Sequence, residues 1–209
     1  IIKNFQEMKI DFSLLKPRLG FIINNYFLFL SAGFHGQIDK ILVAPILGFV
    51  VLGNFSLGMQ FIAVMSIFSG MMFKYLLAQD ASNVENNRLK FYSVICSVII
   101  SLLGIVFLPI IIEALFPKYI IVINAIQIMS IHIIPYSIAV IFESKLLGAL
   151  KTKYVLVGRL TGLGVMIIGM ITLGSVFDIV GIAISLILSS ITLCIIFMIG
   201  IKKLAVEAR

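Results

Sequence analysis

Residues 18–40 read RLGFIINNYFLFLSAGFHGQIDK, a stretch long enough to span a bilayer that nevertheless carries polar side chains within it. The polar residues inside it are Asn24, Asn25, Ser31, His35 and Gln37. A polar group in hydrocarbon is costly unless it finds a partner. At about 100° per residue, Asn24, Ser31 and His35 fall within roughly 40° of one another on a helix, and Lys40 continues that face. We interpret the stretch as a cavity-lining helix; the alternative is that these groups bond only to neighbouring helices.

The composition is that of an integral membrane protein. Hydrophobic residues make up 61% of the 209 residues, the mean hydropathy is +1.20, and charged residues make up only 12%, whereas about 25% is typical of soluble domains. The apolar runs are uninterrupted over about 20 residues, which favours helices over the alternating strands of a barrel. The fold class we predict is all-α and polytopic. Cys96 and Cys194 both lie in apolar runs, so we expect free, packed thiols.

The apolar runs predict six transmembrane helices. They cover about 18–38, 52–75, 91–112, 120–142, 154–173 and 179–201. Three domains follow: a cytoplasmic linker or amphipathic segment over 1–16, a six-helix bundle over 17–203, and a cytoplasmic tail over 204–209. Residues 39–51 predict a short, partly helical connection, and the water-like stretch 79–90 predicts a loop. Span three has no ionisable residue, so we expect it to face lipid.

The basic residues orient the spans. All of the 16 Lys and Arg residues except Lys40 and Lys118 fall on alternate connections or at the two ends of the chain. By the positive-inside rule, that side is cytoplasmic, and both termini lie there. The net charge of +7 therefore reflects topology and contact with anionic lipid head groups, and no nucleic-acid partner is needed to explain it.

No enzyme signature is present, and we expect no enzymatic activity, cofactor or metal site. The candidates for chemistry are polar groups within or beside the spans. His132, Tyr136 and Glu143 share one face of span four to within roughly 40°; the alternative for His132 is a packed, hydrogen-bonded role. Arg159 lies about one and a half turns into span five, where it either faces a cavity or snorkels to the head groups. Asp39 and Lys40 are adjacent at an outer helix end, and their alternative is an ordinary interfacial pair.

Several short motifs resemble one transporter family. They are IDKILV at 38–43, LG at 47–48, VLGNFSLGMQF at 51–61, LFPKY at 115–119 and GALKT at 148–152. In this order and spacing they resemble the polysaccharide and O-antigen flippases of the multidrug/oligosaccharidyl-lipid/polysaccharide exporter superfamily. Phe55 stands where a tyrosine is commoner in that family.

The resemblance implies a protein of twelve or fourteen helices built from two six-helix lobes, of which this chain is similar to the second. Its partners would be an N-terminal six-helix lobe of the same parent chain, membrane lipid, and a lipid-linked oligosaccharide moved by alternating access. The chain begins with Ile1 and shows no signal peptide, so we expect a piece of a longer protein. A cationic cavity is also implied, toward which the sequence offers His35, Lys40, His132, Lys145 and Arg159.

Two other functions stay open. A drug/cation antiporter of the same superfamily needs a carboxylate embedded in the membrane, and the acids nearest to spans, Asp39, Glu113 and Glu143, lie near helix ends. A non-transporting membrane scaffold would turn its polar residues toward partner helices and would enclose no water-filled cavity.

The predicted topology is testable by labelling single cysteines introduced at Asn83 and at Lys118 with a membrane-impermeant reagent. We expect opposite sides of the membrane, because the two positions lie on connections of opposite charge character. Labelling of both sites from the same side would show that the helix count or its orientation is wrong.

Overall fold

The computed structural model describes residues 19–35, 38–82 and 86–207, and this part of the chain is helical with no strand. The helices are α1 (Leu19–His35), α2 (Ile38–Ala81), α3 (Asn87–Leu115), a 3₁₀ helix (Pro117–Val122), α4 (Ile123–Ile131), α5 (Ile133–Gly148) and α6 (Thr152–Glu207). The all-α prediction is confirmed. The predicted linker over 1–16 lies outside the described residues, and helix α6 continues into the predicted tail as far as Glu207.

Within the described residues, four helices are long and apolar enough to cross a membrane: Lys40–Ala81, Asn87–Leu115, Pro117–Gly148 and Thr152–Leu204. They indicate a membrane-embedded protein, as the composition predicts. Helix α1 has 17 residues, which at 1.5 Å per residue is about 25 Å, slightly less than the roughly 30 Å of a hydrocarbon core.

A glycine divides helix α2. Gly48 has φ 86° and ψ 168°, a conformation that glycine adopts without steric cost. The short, partly helical connection expected over 39–51 is therefore a helical arm, Ile38–Leu47, followed by this break. Val43 in that arm is fully buried and belongs to the same apolar cluster as Phe55 and Val122, so the arm packs onto the bundle.

The loop expected over 79–90 is much shorter than predicted. Helix α2 continues to Ala81 and helix α3 begins at Asn87. The side-chain oxygen of Asn86 accepts the backbone N–H of Leu89 at 3.1 Å, which satisfies one of the free donors at a helix start. The polar residues of this stretch therefore lie mainly on helix ends, where water and capping groups are available.

Helix α3 turns its small residues inward and its large ones outward. Its buried positions include Ser93, Ser97, Ser101 and Gly104, at the spacing of one helix face. A Cβ at Gly104 would collide with the Met65 side chain and come within 2.8 Å of the Ser130 hydroxyl. The outward positions carry large apolar side chains such as those of Ile99, Leu102, Val106 and Phe107. These side chains are exposed on the bundle; that they face lipid stays a prediction.

A side-chain amide compensates for Pro109 in helix α3. Proline lacks an N–H, so the carbonyl of Ile105, four residues earlier, loses its usual helical partner. The Gln127 amide of helix α4 donates to that carbonyl at 3.1 Å. The hydrogen bond joins α3 to α4 and removes an unsatisfied acceptor from the apolar region.

Helices α2 and α3 run antiparallel. Lys90, near the start of α3, pairs with Asp80 at the end of α2, while Gly104, farther along α3, faces Met65, earlier in α2.

Helices α2 and α5 run parallel, as two contacts show. Ser69 and Ser137 share a hydrogen bond of 2.5 Å, and the Ser144 hydroxyl donates to Asp80 at 2.7 Å. Both contacts join residues at nearly the same sequence separation, as parallel helices require.

Helix α6 is a hairpin of two arms, residues 152–176 and 179–207. The turn lies at Phe177 and Asp178, whose backbone angles are not helical. The Ser189 hydroxyl of the second arm donates to the Gly162 carbonyl of the first at 2.8 Å. Glycines let the arms approach closely, and a Cβ at Gly162 would come within 2.9 Å of Leu193. The turn falls between the predicted spans five and six.

The two ends of the bundle differ in charge. The basic end gathers the end of α2, the start of α3, the end of α5 and both ends of α6. Its described cations are Lys74, Arg88, Lys90, Lys145, Lys151, Lys153, Arg159, Lys202 and Lys203. The opposite end, with the 3₁₀ helix and the hairpin turn, has Lys118 and the exposed Lys40.

Substitution of Gly181 by Ala tests the hairpin. A Cβ there would collide with the carbonyl oxygen of Leu173, and overpacking of this kind costs about 1–3 kcal/mol. We expect that loss in the free energy of unfolding, measured with denaturant in mixed micelles. The control is Gly164→Ala, where a Cβ meets nothing within 4 Å and alanine favours the helix by up to about 1 kcal/mol. Equal effects of the two variants would contradict the hairpin packing.

Candidate functional site

The polar face predicted for span four begins at the joint between α4 and α5. Pro135 has no N–H to donate to the carbonyl of Ile131. In the same turn, the His132 N–H donates to the Met129 carbonyl, three residues back, at 3.0 Å. The rings of His132 and Tyr136 stack with centroids 5.5 Å apart and planes 19° apart. The structure thus brings together two of the predicted residues, one turn apart on the same face, and both are half-buried.

The other predicted residue of that face, Glu143, pairs with Arg159 of α6. Arg159 donates through Nε at 2.9 Å and through a terminal nitrogen at 2.5 Å, both to Oε1 of Glu143. The exposed fraction of the side chain is 10% for Glu143 and 30% for Arg159. A carboxylate taken out of water needs such a partner, and the guanidinium fork supplies two charge-assisted bonds. Two residues that the sequence singled out separately therefore form one site.

A second charged cluster lies beside the first, and sequence reasoning missed it. Asp80, placed in a loop by its polar neighbours, has only 5% of its side chain exposed and accepts from Lys90 Nζ at 2.6 Å. Its other carboxylate oxygen accepts from the Ser144 hydroxyl at 2.7 Å. A Cβ at Gly148 would lie 2.8 Å from the Asp80 carbonyl carbon. The small residues Ser144 and Gly148, one turn apart, are the signal that a neighbouring helix approaches here.

The two clusters meet at consecutive residues of α5. Glu143 reaches Arg159 on α6, while Ser144 reaches Asp80 on α2, which in turn holds Lys90 on α3. Two ion pairs and the Ser144 hydrogen bond therefore join four helical segments at the basic end. Chemically the arrangement offers hydrogen-bond donors and compensated charge. In the stretches that the structure describes, no group of three or more His, Cys, Asp or Glu side chains could hold a metal ion.

The polar face predicted for span one lies largely beyond what the structure describes. The side chains of Asn24, Ser31, His35 and Asp39 fall outside the described ones. Asn25 is half-buried, and Lys40 is exposed. Helix α1 packs mainly on α6, whereas α5 packs on α2, α3 and α6. Whether the faces of spans one and four line one cavity stays a prediction.

Both cysteines are free thiols. The Cys194 thiol, on the second arm of α6, donates to the Pro135 carbonyl at 2.8 Å. It therefore links α6 to the helix that carries the site.

No protein-family model, curated protein or solved structure matches the chain. A function for it therefore rests on the geometry of the site and on the motifs that resemble the flippases.

A double-mutant cycle on Glu143→Gln and Arg159→Gln tests the ion pair. Each single variant leaves one charge uncompensated in an apolar setting, which is costly. The double variant should lose less free energy of unfolding than the sum of the losses in the two single variants. Because Arg159 keeps 30% of its side chain exposed, we expect a coupling free energy of about 1 kcal/mol, toward the lower part of the range for contacting residues.

The control for the cycle is Glu113→Gln, an exposed acid at the opposite end of the bundle, which should change stability by less than about 0.5 kcal/mol. Strictly additive losses at Glu143 and Arg159 would mean that the pair contributes nothing to the fold.

Proposed function

We propose that the chain is one lobe of an exporter that moves a lipid-linked oligosaccharide across the cytoplasmic membrane. The observation that carries the proposal is the line of polar groups that runs from His132, at the joint of α4 and α5, through Tyr136 to Glu143 and its partner Arg159 on α6. Polar and ionisable residues within membrane segments are functional hypotheses by default. The resemblance of the motifs to polysaccharide flippases supplies the substrate class.

The proposal includes six membrane crossings. The antiparallel course of α2, α3, the segment from the 3₁₀ helix to α5, and the two arms of α6 supports five of them, and α1 would be the sixth. The concentration of Lys and Arg at the basic end supports a cytoplasmic location for that end and for both termini. Alternating access would then require a second six-helix lobe, which we propose as the partner of this one.

In this proposal the polar line offers donors to an anionic head group. From His132 to Glu143 is eleven residues of helix, or about 16 Å at 1.5 Å per residue. A diphosphate that leaves water for a low-dielectric lumen needs donors or positive charge at more than one level. The His132 and Tyr136 rings would serve deep in the membrane. Near the cytoplasmic side Arg159, whose charge Glu143 compensates, would offer the N–H groups that Glu143 does not use. None of these steps makes or breaks a covalent bond.

A membrane scaffold is the second candidate, and specific contacts favour it. Ser69 and Ser137 bond to each other, and Gln127 bonds to the backbone of α3. These groups turn toward partner helices, as a scaffold requires. The antiporter is less well supported, because the deeply placed carboxylate of Glu143 is already neutralised by Arg159 and is poorly suited to an incoming cation.

Substitution of His132 by Ala in the full-length protein tests the export function. Loss of a hydrogen bond to a charged group is worth about 1.5–3 kcal/mol, so we expect roughly tenfold slower appearance of the oligosaccharide at the cell surface. His132→Arg should restore part of the rate because the guanidinium supplies hydrogen-bond donors together with positive charge.

The control is Leu102→Val on the lipid-facing side of α3, where 56% of the side chain is exposed. This variant should export normally. Protein level and membrane insertion are measured for every variant. Export by His132→Ala at the rate of the unaltered protein would return His132 to a packing role and favour the scaffold.

A further inference from the structure

A shallow groove lies at the end of the second arm of α6. It is lined by Ile199, Lys202, Lys203 and Val206 and has a volume of about 340 Å³. The four positions follow the spacing i, i+3, i+4 and i+7, so they form one face of the helix. Two exposed apolar side chains thus flank two exposed ammonium groups.

The lysines of the groove differ from Arg159 and Lys90 in having no anionic partner among the described side chains. Arg159 is matched by Glu143, and Lys90 is matched by Asp80. Lys202 and Lys203, by contrast, form no hydrogen bond or ion pair with the described part of the protein. Both ammonium groups are exposed and can reach an anion in the surroundings.

A third cation stands at the same level of the bundle. The first arm of α6 lies close to Gly200, where a Cβ would be 3.2 Å from the Tyr154 side chain. Lys153 precedes Tyr154 and is exposed. The two arms of the hairpin thus concentrate positive charge around the groove, which strengthens the attraction of an anion.

The position of the groove selects the kind of anion. The apolar run of the second arm ends at Ile201, so Lys202 and Lys203 lie where hydrocarbon would give way to head groups. Lysine stems extend along apolar surface and place their ammonium groups at this level. Ile199, on the membrane side of the lysines, offers apolar contact to the glycerol and first acyl carbons of a lipid.

We propose that this groove binds the phosphate-bearing head group of an anionic phospholipid. The two lysines hold the phosphate, and the apolar side chains contact the adjoining lipid carbons. A zwitterionic lipid carries the same phosphate with a compensating cation, so the groove discriminates in favour of net negative charge. The inference does not depend on what the protein transports.

The test uses the purified full-length protein in nanodiscs and spin-labelled phosphatidylglycerol and phosphatidylcholine. The measured quantity is the ratio of the association constants of the two lipids. For Lys202→Gln/Lys203→Gln we expect that ratio to fall about fivefold or more, since a single lysine near an anionic surface is worth roughly that factor. Lys202→Arg/Lys203→Arg should keep the preference.

The matched control is Lys74→Gln/Arg88→Gln, which removes two exposed cations from the same end of the bundle but outside the groove. It should leave the ratio within about a factor of two, because screened charges more than roughly 10 Å away act weakly. A loss equal to that of the groove variant would mean a general charge effect and overturn the proposal, as would no loss in the groove variant. Competition by soluble glycerol phosphate as strong as that by the lipid would also overturn it, because the ligand would then be a free phosphate ester.

Discussion

A polar group inside this bundle is costly unless it finds a partner within the protein, because hydrocarbon offers no water to replace a missing hydrogen bond. The pairing of Gln127 with the Ile105 carbonyl meets that constraint where Pro109 opens the backbone. The Glu143–Arg159 pair meets it for two charges. In each case the partner comes from a different helix. The contact that supplies a missing hydrogen bond or counter-charge therefore also fixes how two helices pack.

Helix α5 makes most of these polar contacts between helices. Its serines bond to α2, its glutamate to the first arm of α6, and its Pro135 carbonyl to the second arm. A helix tied on three sides by short polar contacts cannot slide or rotate alone. If the bundle moves during transport, α5 and its neighbours therefore move together, and the motion takes place against whatever lies outside this set of helices.

The sequence predicts the helical class and the hairpin turn well, because runs of apolar residues and the polar punctuation between them are local properties. It places Asp80 wrongly, in a loop, since its polar neighbours resemble a solvated stretch and only the approach of Ser144 and Gly148 buries it. For the site, Glu143 and Arg159 were each identifiable as unusual. Their pairing was not, because it depends on how α6 packs against α5. The polar face of span one rests on side chains that lie outside the described ones.

The hairpin of α6 has a consequence for biosynthesis. Its arms meet through contacts such as Ser189 to Gly162 that are close in sequence, so the entropy of closing the loop between them is small. During co-translational insertion, the second arm can dock as soon as it leaves the translocon. A nascent chain halted just beyond Asp178 would instead present the glycine-lined surface of the first arm to lipid, where chaperones and membrane proteases recognise unassembled helices. The second arm of α6 therefore decides whether the first arm is treated as assembled.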